Sequence, residues 1–134
     1  MNRLFKPFVI YWSPILLYLG IILGLSSLSS LPFSLTPGMH LDKLLHFTEY
    51  FMLALLMARA CAALPKPSSF MATWLLSSTL VLMVGCADEC YQSLVPNRSS
   101  EWLDLLADGL GGMMGSALFL WIRQSWTSRV KESV

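Results

Sequence analysis

The stretch Cys86–Gly112, CADECYQSLVPNRSSEWLDLLADGLGG, decides how the rest of the chain is read. It holds five of the eight carboxylates, Asp88, Glu89, Glu101, Asp104 and Asp108, together with Arg98. On either side lie two of the most apolar runs in the sequence. The chain has 134 residues, enough for one domain, and is 55% hydrophobic but only 13% charged. Soluble domains carry about 25% charged residues. A domain this small has too little interior to hide so much apolar surface from water. A bilayer is the solvent that the composition fits. The net charge of +1 gives no basic footprint, so nucleic acid is excluded as a partner.

Working outward, four apolar spans emerge, at about residues 8–28, 44–64, 68–87 and 103–122. Each approaches the roughly 20 residues that a membrane-crossing helix needs. The first follows Arg3 and Lys6 but exceeds the apolar length of a cleaved signal, and no small-residue cleavage site follows it, so it reads as a retained span. Pro14 lies inside it and favours a kink. Pro65-Lys66-Pro67 ends the second span, because proline cannot continue a helix and restricts the residue before it. No repeat, low-complexity tract or second domain appears. The expectation is a single all-α membrane domain over residues 1–134, a four-helix bundle running up-down-up-down.

Lys and Arg set its direction. Arg3, Lys6, Arg59, Lys66, Arg123, Arg129 and Lys131 fall on one side, and only Lys43 and Arg98 on the other. That bias places both termini in the cytoplasm. Trp74, Trp121 and Trp126 then fall near the inner interface and Trp102 near the outer, as an aromatic belt would.

With this order, the start of the second helix, the end of the third and the start of the fourth share the outer end of the bundle. Helical spacing gathers their polar residues into faces. Asp42, His46 and Glu49/Tyr50 make one, Asp88 and Gln92 another, and Asp104 and Asp108 a third that continues into Gly111 and Gly115. Ionisable groups inside a span are costly, face inward and mark functional sites by default. His46, Asp88, Glu89 and Asp104 are the candidate catalytic groups. Asp42, Lys43, Glu49, Tyr50, Gln92, Arg98 and Asp108 are candidate ligand-binding residues. The structural alternative stays open: Asp42, Ser99 and Ser100 suit helix caps, Glu101 suits a helix N-terminus, and the cluster can serve as interhelical glue.

Gly111 and Gly115 form a small-xxx-small face that packs helices within the chain or joins two copies as a homodimer. The cysteines Cys61, Cys86 and Cys90 give no disulfide framework and read as packing residues. Cys86 and Cys90 with His46 and Asp88 would make a metal grouping, but without diagnostic spacing. The cofactor is therefore unknown: a divalent cation suits the acids chemically, while the spacing specifies no metal ligand set.

Three blocks resemble the VanZ-like family of bacterial integral membrane proteins: Asp42-Lys43-x-x-His46-x-x-x-Tyr50, Asp88-Glu89-x-x-Gln92-x-x-x-Pro96-x-Arg98, and Asp104-x-x-x-Asp108-x-x-Gly111-x-x-x-Gly115. They cover residues 42–115, and the first helix matches only as a hydrophobic span. The family often has Asn where this chain has Asp108. The resemblance implies a multi-pass protein of the bacterial cytoplasmic membrane and cell envelope. The family's founding member is associated with antibiotic resistance, to the lipoglycopeptide teicoplanin.

Three functions follow as alternatives. In the first, an outward-facing polar site binds a membrane lipid or lipid-linked amphiphile, with Lys43, Arg98 and two helix N-termini receiving an anionic head group. In the second, the same site does chemistry on that head group, with His46 as general base. In the third, the acids form a proton relay of a small transporter. A reporter fused after Val134 tests the topology: it is expected to be active only on the cytoplasmic side, and extracytoplasmic activity would reverse the assignment.

Overall fold

The computed structural model describes residues 5–28, 39–65, 69–96, 98 and 101–132. Arg3, Lys66, Pro67, Ser99 and Ser100, and the side chains of Lys6, His40 and Lys131, lie outside the described residues. Among those described are four helices and no strand: α1 (Phe5–Ser26), α2 (Met39–Cys61), α3 (Phe70–Gln92) and α4 (Trp102–Glu132). All four are long and apolar enough to cross a membrane. α1 continues through Pro14 as one helix. The Ser69 side chain accepts from the Ala72 N–H at 3.2 Å and caps the start of α3.

Successive helices run in opposite directions. The end of α2 meets the start of α1, where the Arg59 guanidinium lies 5.0 Å over the Tyr11 ring. Farther along the same pair, Tyr18 donates to the Glu49 carbonyl at 3.2 Å. The end of α3 meets the start of α4, where the Glu101 N–H donates to Glu89 Oε2 at 3.1 Å. Trp74, expected at an interface, spends its indole N–H on the Met113 carbonyl at 3.0 Å and so ties α3 to α4.

The core is built on Ile15 and Ile22 of α1, Tyr50, Leu53, Ala54 and Met57 of α2, and Val81 of α3. Leu17, Met83, Trp102, Trp121 and Trp126 are exposed, an outer surface suited to lipid rather than water. Lipid tails are as apolar as Leu, so packing has to come from close fit. α2 packs most extensively on α4. A methyl group at Gly111 would run into the Phe47 carbonyl and lie 3.0 Å from the Phe51 nitrogen. One at Gly115 would run into the Phe51 carbonyl and come within 2.9 Å of the Ala54 Cβ. The two glycines therefore lay the α4 backbone directly on α2. That face is filled within the chain, and a homodimer would use another surface.

Gly111→Ala and Gly115→Ala are expected to lower the thermal unfolding midpoint in detergent, each costing about 1–3 kcal/mol by overpacking. Gly24→Ala is the control, because a methyl there meets nothing within 4 Å. Equal behaviour of the three variants would refute the close contact.

Candidate functional site

The α2–α4 contact places His46 against Asp108. His46 Nδ1 donates to Asp108 Oδ1 at 3.0 Å, in a site where Asp108 is fully buried and His46 nearly so. Tyr50, one turn further along α2, is fully buried too. Gly85 of α3 makes room for both side chains: a methyl there would lie 3.0 Å from Asp108 Oδ2 and 3.4 Å from the Tyr50 ring.

Toward the bundle end, Lys43 is a hub. Its ammonium contacts Glu101 at 2.7 Å, Asp42 at 3.3 Å and Asp104. Asp104 is buried, while Asp42 and Glu101 keep about two-fifths of their side-chain exposure. Lys43 is thus held among acids rather than presented alone to an anion. Glu89 closes this layer by accepting the Glu101 N–H just before α4 begins. A carboxylate there satisfies a free backbone donor and opposes the positive end of the helix dipole.

On the α3 side, Gln92 Nε2 donates to Asp88 Oδ2 at 2.7 Å and to Ser26 Oγ at 3.4 Å. Arg98 donates to the Ser26 carbonyl at 3.3 Å, meeting an acceptor at the C-terminal end of α1. Ser27 and Tyr91 hydroxyls pair at 3.0 Å. Next to these contacts an open groove of about 260 Å³ runs between α1 and α3, lined by Leu19, Ile22, Leu23, Val84, Ala87, Asp88 and Tyr91. It is apolar along most of its wall and polar at Asp88 and Tyr91.

The structure thus gathers the eleven polar residues singled out in the sequence at one end of the bundle. Asp42, His46 and Asp104 each bring a ligand atom within 4.8 Å of the others, the one such metal-capable grouping among the described residues. The grouping of Cys86 and Cys90 with His46 and Asp88 does not form, since both cysteines are exposed while His46 and Asp88 are buried. Asp42, Glu49, Asp88, Glu89, Glu101, Asp104 and Asp108 share this end of the bundle with Lys43, Arg98 and the His46 imidazole. Glu49 Oε1, Glu89 Oε1 and Asp108 Oδ2 are shut off from solvent without a hydrogen-bond partner.

A family model, VanZ/LLP1, matches residues 4–123. The chain belongs to the VanZ/LLP1 family. The match takes in α1 as well as the three motif-bearing helices, and so covers all four candidate membrane spans except the end of α4. No curated protein and no solved structure matches the chain. In this VanZ/LLP1 protein α1 is part of the site: Ser26 holds Gln92 and Arg98. The sequence signal for it was slight, a Ser-Ser pair closing an apolar span.

A double-mutant cycle on His46→Ala and Asp108→Ala is expected to give a coupling of about 1.5–3 kcal/mol, the range for a hydrogen bond to a charged group. Asp108→Asn, which keeps an acceptor oxygen, is expected to retain most of the stability lost in Asp108→Ala. Additive single-variant losses would separate the two side chains.

Proposed function

We propose that this protein binds an amphiphile of the bacterial cell envelope, a membrane lipid or lipid-linked molecule, in the bacterial cytoplasmic membrane. The polar head lies among the residues of the bundle end, and the tail lies in the α1–α3 groove. The observation that carries the reading is the continuity of these two features at Asp88: the same residue lines the apolar groove and bonds Gln92 of the polar cluster. A ligand with an oily tail and a hydrogen-bonding head matches both. Seven carboxylates favour a head rich in donors, such as amines and hydroxyls, or one that arrives with a cation. The positive-inside bias orients the site toward the outer leaflet. Teicoplanin, a lipid-tailed glycopeptide, has this amphiphilic character, and tolerance to it is the proposed physiological consequence.

A second reading, chemistry on the head group, is favoured by the His46–Asp108 pair. An imidazole held at Nδ1 by a buried carboxylate has the arrangement of a general base. Proton-coupled transport finds less support. Past Tyr50, α2 buries Leu53, Ala54 and Met57, and the next ionisable group on it is Arg59.

Two measurements test the reading. Mass spectrometry of gently purified protein is expected to show a bound amphiphile that is depleted in Arg98→Ala and in Ala87→Trp, which fills the groove. Identical lipid profiles in the three proteins would overturn it. In a sensitive host, His46→Ala and Asp104→Ala are expected to abolish teicoplanin tolerance while folded protein remains in the membrane; full tolerance in both would reject the site.

A further inference from the structure

The candidate ligand-binding end carries more negative charge than its own cations can offset. Seven carboxylates share this end of the bundle with Lys43, Arg98 and His46, and an acid inside a span is costly without a partner. Lys43 is already shared among Asp42, Glu101 and Asp104. Arg98 is turned to the Ser26 carbonyl. The remaining charge calls for a cation from outside the chain, for protons, or for both.

We propose that Asp42, His46 and Asp104 bind a divalent metal ion of the Mn²⁺ or Zn²⁺ class.

Three independent features support this site. The ligand atoms of these residues already lie within 4.8 Å of one another, so a metal can reach all of them with small side-chain movements. His46 suits the role: with Asp108 ionised, Nδ1–H is the donor to Asp108 Oδ1 and Nε2 is the nitrogen free to coordinate. A metal-bound histidine ordinarily donates its other N–H to a carboxylate or carbonyl, which fixes the ring and raises its basicity. Asp108, fully buried and on the neighbouring helix, is that carboxylate. Finally, Glu89 is more than nine-tenths buried and its Oε1 has no hydrogen-bond partner. A cation bound at this end of the bundle would offset that unpaired buried oxygen.

The donor set selects the metal class. One imidazole with two carboxylates mixes nitrogen and oxygen ligands, which suits Mn²⁺ and Zn²⁺ better than an all-oxygen Ca²⁺ cage or a thiolate site. Lys43 can stay in place. It contacts Oδ2 of Asp42 and Oδ1 of Asp104, and a metal would take the other oxygen of each after rotation of the carboxylates. The bound ion would also give an anionic head group a partner in a region otherwise dominated by acids. That consequence depends on the amphiphile reading; metal binding itself does not.

The test uses the full chain in lipid-free detergent, stripped with chelator and titrated separately with Mn²⁺ and Zn²⁺. Calorimetry and elemental analysis after dialysis are expected to show one equivalent bound by wild type. His46→Gln and Asp104→Asn are expected to weaken binding at least tenfold. Asp42→Asn is expected to do so as well, and its partial exposure keeps that variant clear of core disruption. The double variant Cys86→Ser, Cys90→Ser is expected to bind as wild type does. Mn²⁺ electron paramagnetic resonance should shift on binding in wild type and remain that of the free ion with Asp42→Asn. Absence of a bound equivalent, retention of full affinity in Asp42→Asn, or loss of binding in the cysteine variant would each overturn the proposal. Because no lipid is present, a failure here leaves the amphiphile reading standing, and a failure to find a bound amphiphile leaves this one standing.

Discussion

The approach of the α4 backbone to α2 is the constraint on which the polar end depends. Gly111 and Gly115 let Phe47 and Phe51 carbonyls sit where a side chain would otherwise be. In a bilayer no hydrophobic force presses helices together, so this close fit must come from shape. Its consequence lies one turn away. Asp108 precedes Gly111 on α4, and His46 precedes Phe47 on α2, so the contact that removes side chains at the glycines brings these two within hydrogen-bond distance. Gly85 performs the same service from α3, by leaving space for Asp108 and Tyr50. The glycines are thus part of the polar site although none of them carries its chemistry.

Much of this could be read from residues alone, and the reason is periodicity. Asp42, His46 and Tyr50 repeat at helical spacing, as do Asp104, Asp108 and Gly111, and apolar runs of membrane length separate the groups. Once four spans alternate in direction, those faces have few places to go except the same end of the bundle. The pairings were harder to read. Nothing in the spacing says that His46 chooses Asp108, or that Lys43 bridges Asp42, Glu101 and Asp104, because those choices depend on helix rotation and separation set by the glycines. The contribution of α1 was illegible for a different reason. Ser26 acts through its backbone carbonyl and a small hydroxyl, and neither leaves a pattern in an otherwise apolar helix. The partner of Trp74 was equally hidden: its position near a span end suggested an interface, and nothing in the spacing pointed its indole N–H to the Met113 carbonyl of α4.

The depth of the cluster limits what it can do. At about 1.5 Å per residue, Tyr50 lies some 12 Å along α2 from Asp42, well short of the full span. Ionisable groups enter the bundle to that depth and then give way to Leu53, Ala54 and Met57. A charge costs least near the ends of a span and most at its centre, so a site that needs many acids is cheapest to build where this one is. The same geometry makes it one-sided. A groove opens laterally between α1 and α3, while below the cluster the bundle is filled by the packed core. A groove opening sideways beside a polar end suits both of the proposed readings, amphiphile binding and chemistry on a head group. Either reading needs the acids to be compensated locally, and among the described residues Lys43, Arg98 and His46 are the basic groups at this end. The compensation must therefore arrive with the ligand, with a metal ion, or as protons on the carboxylates.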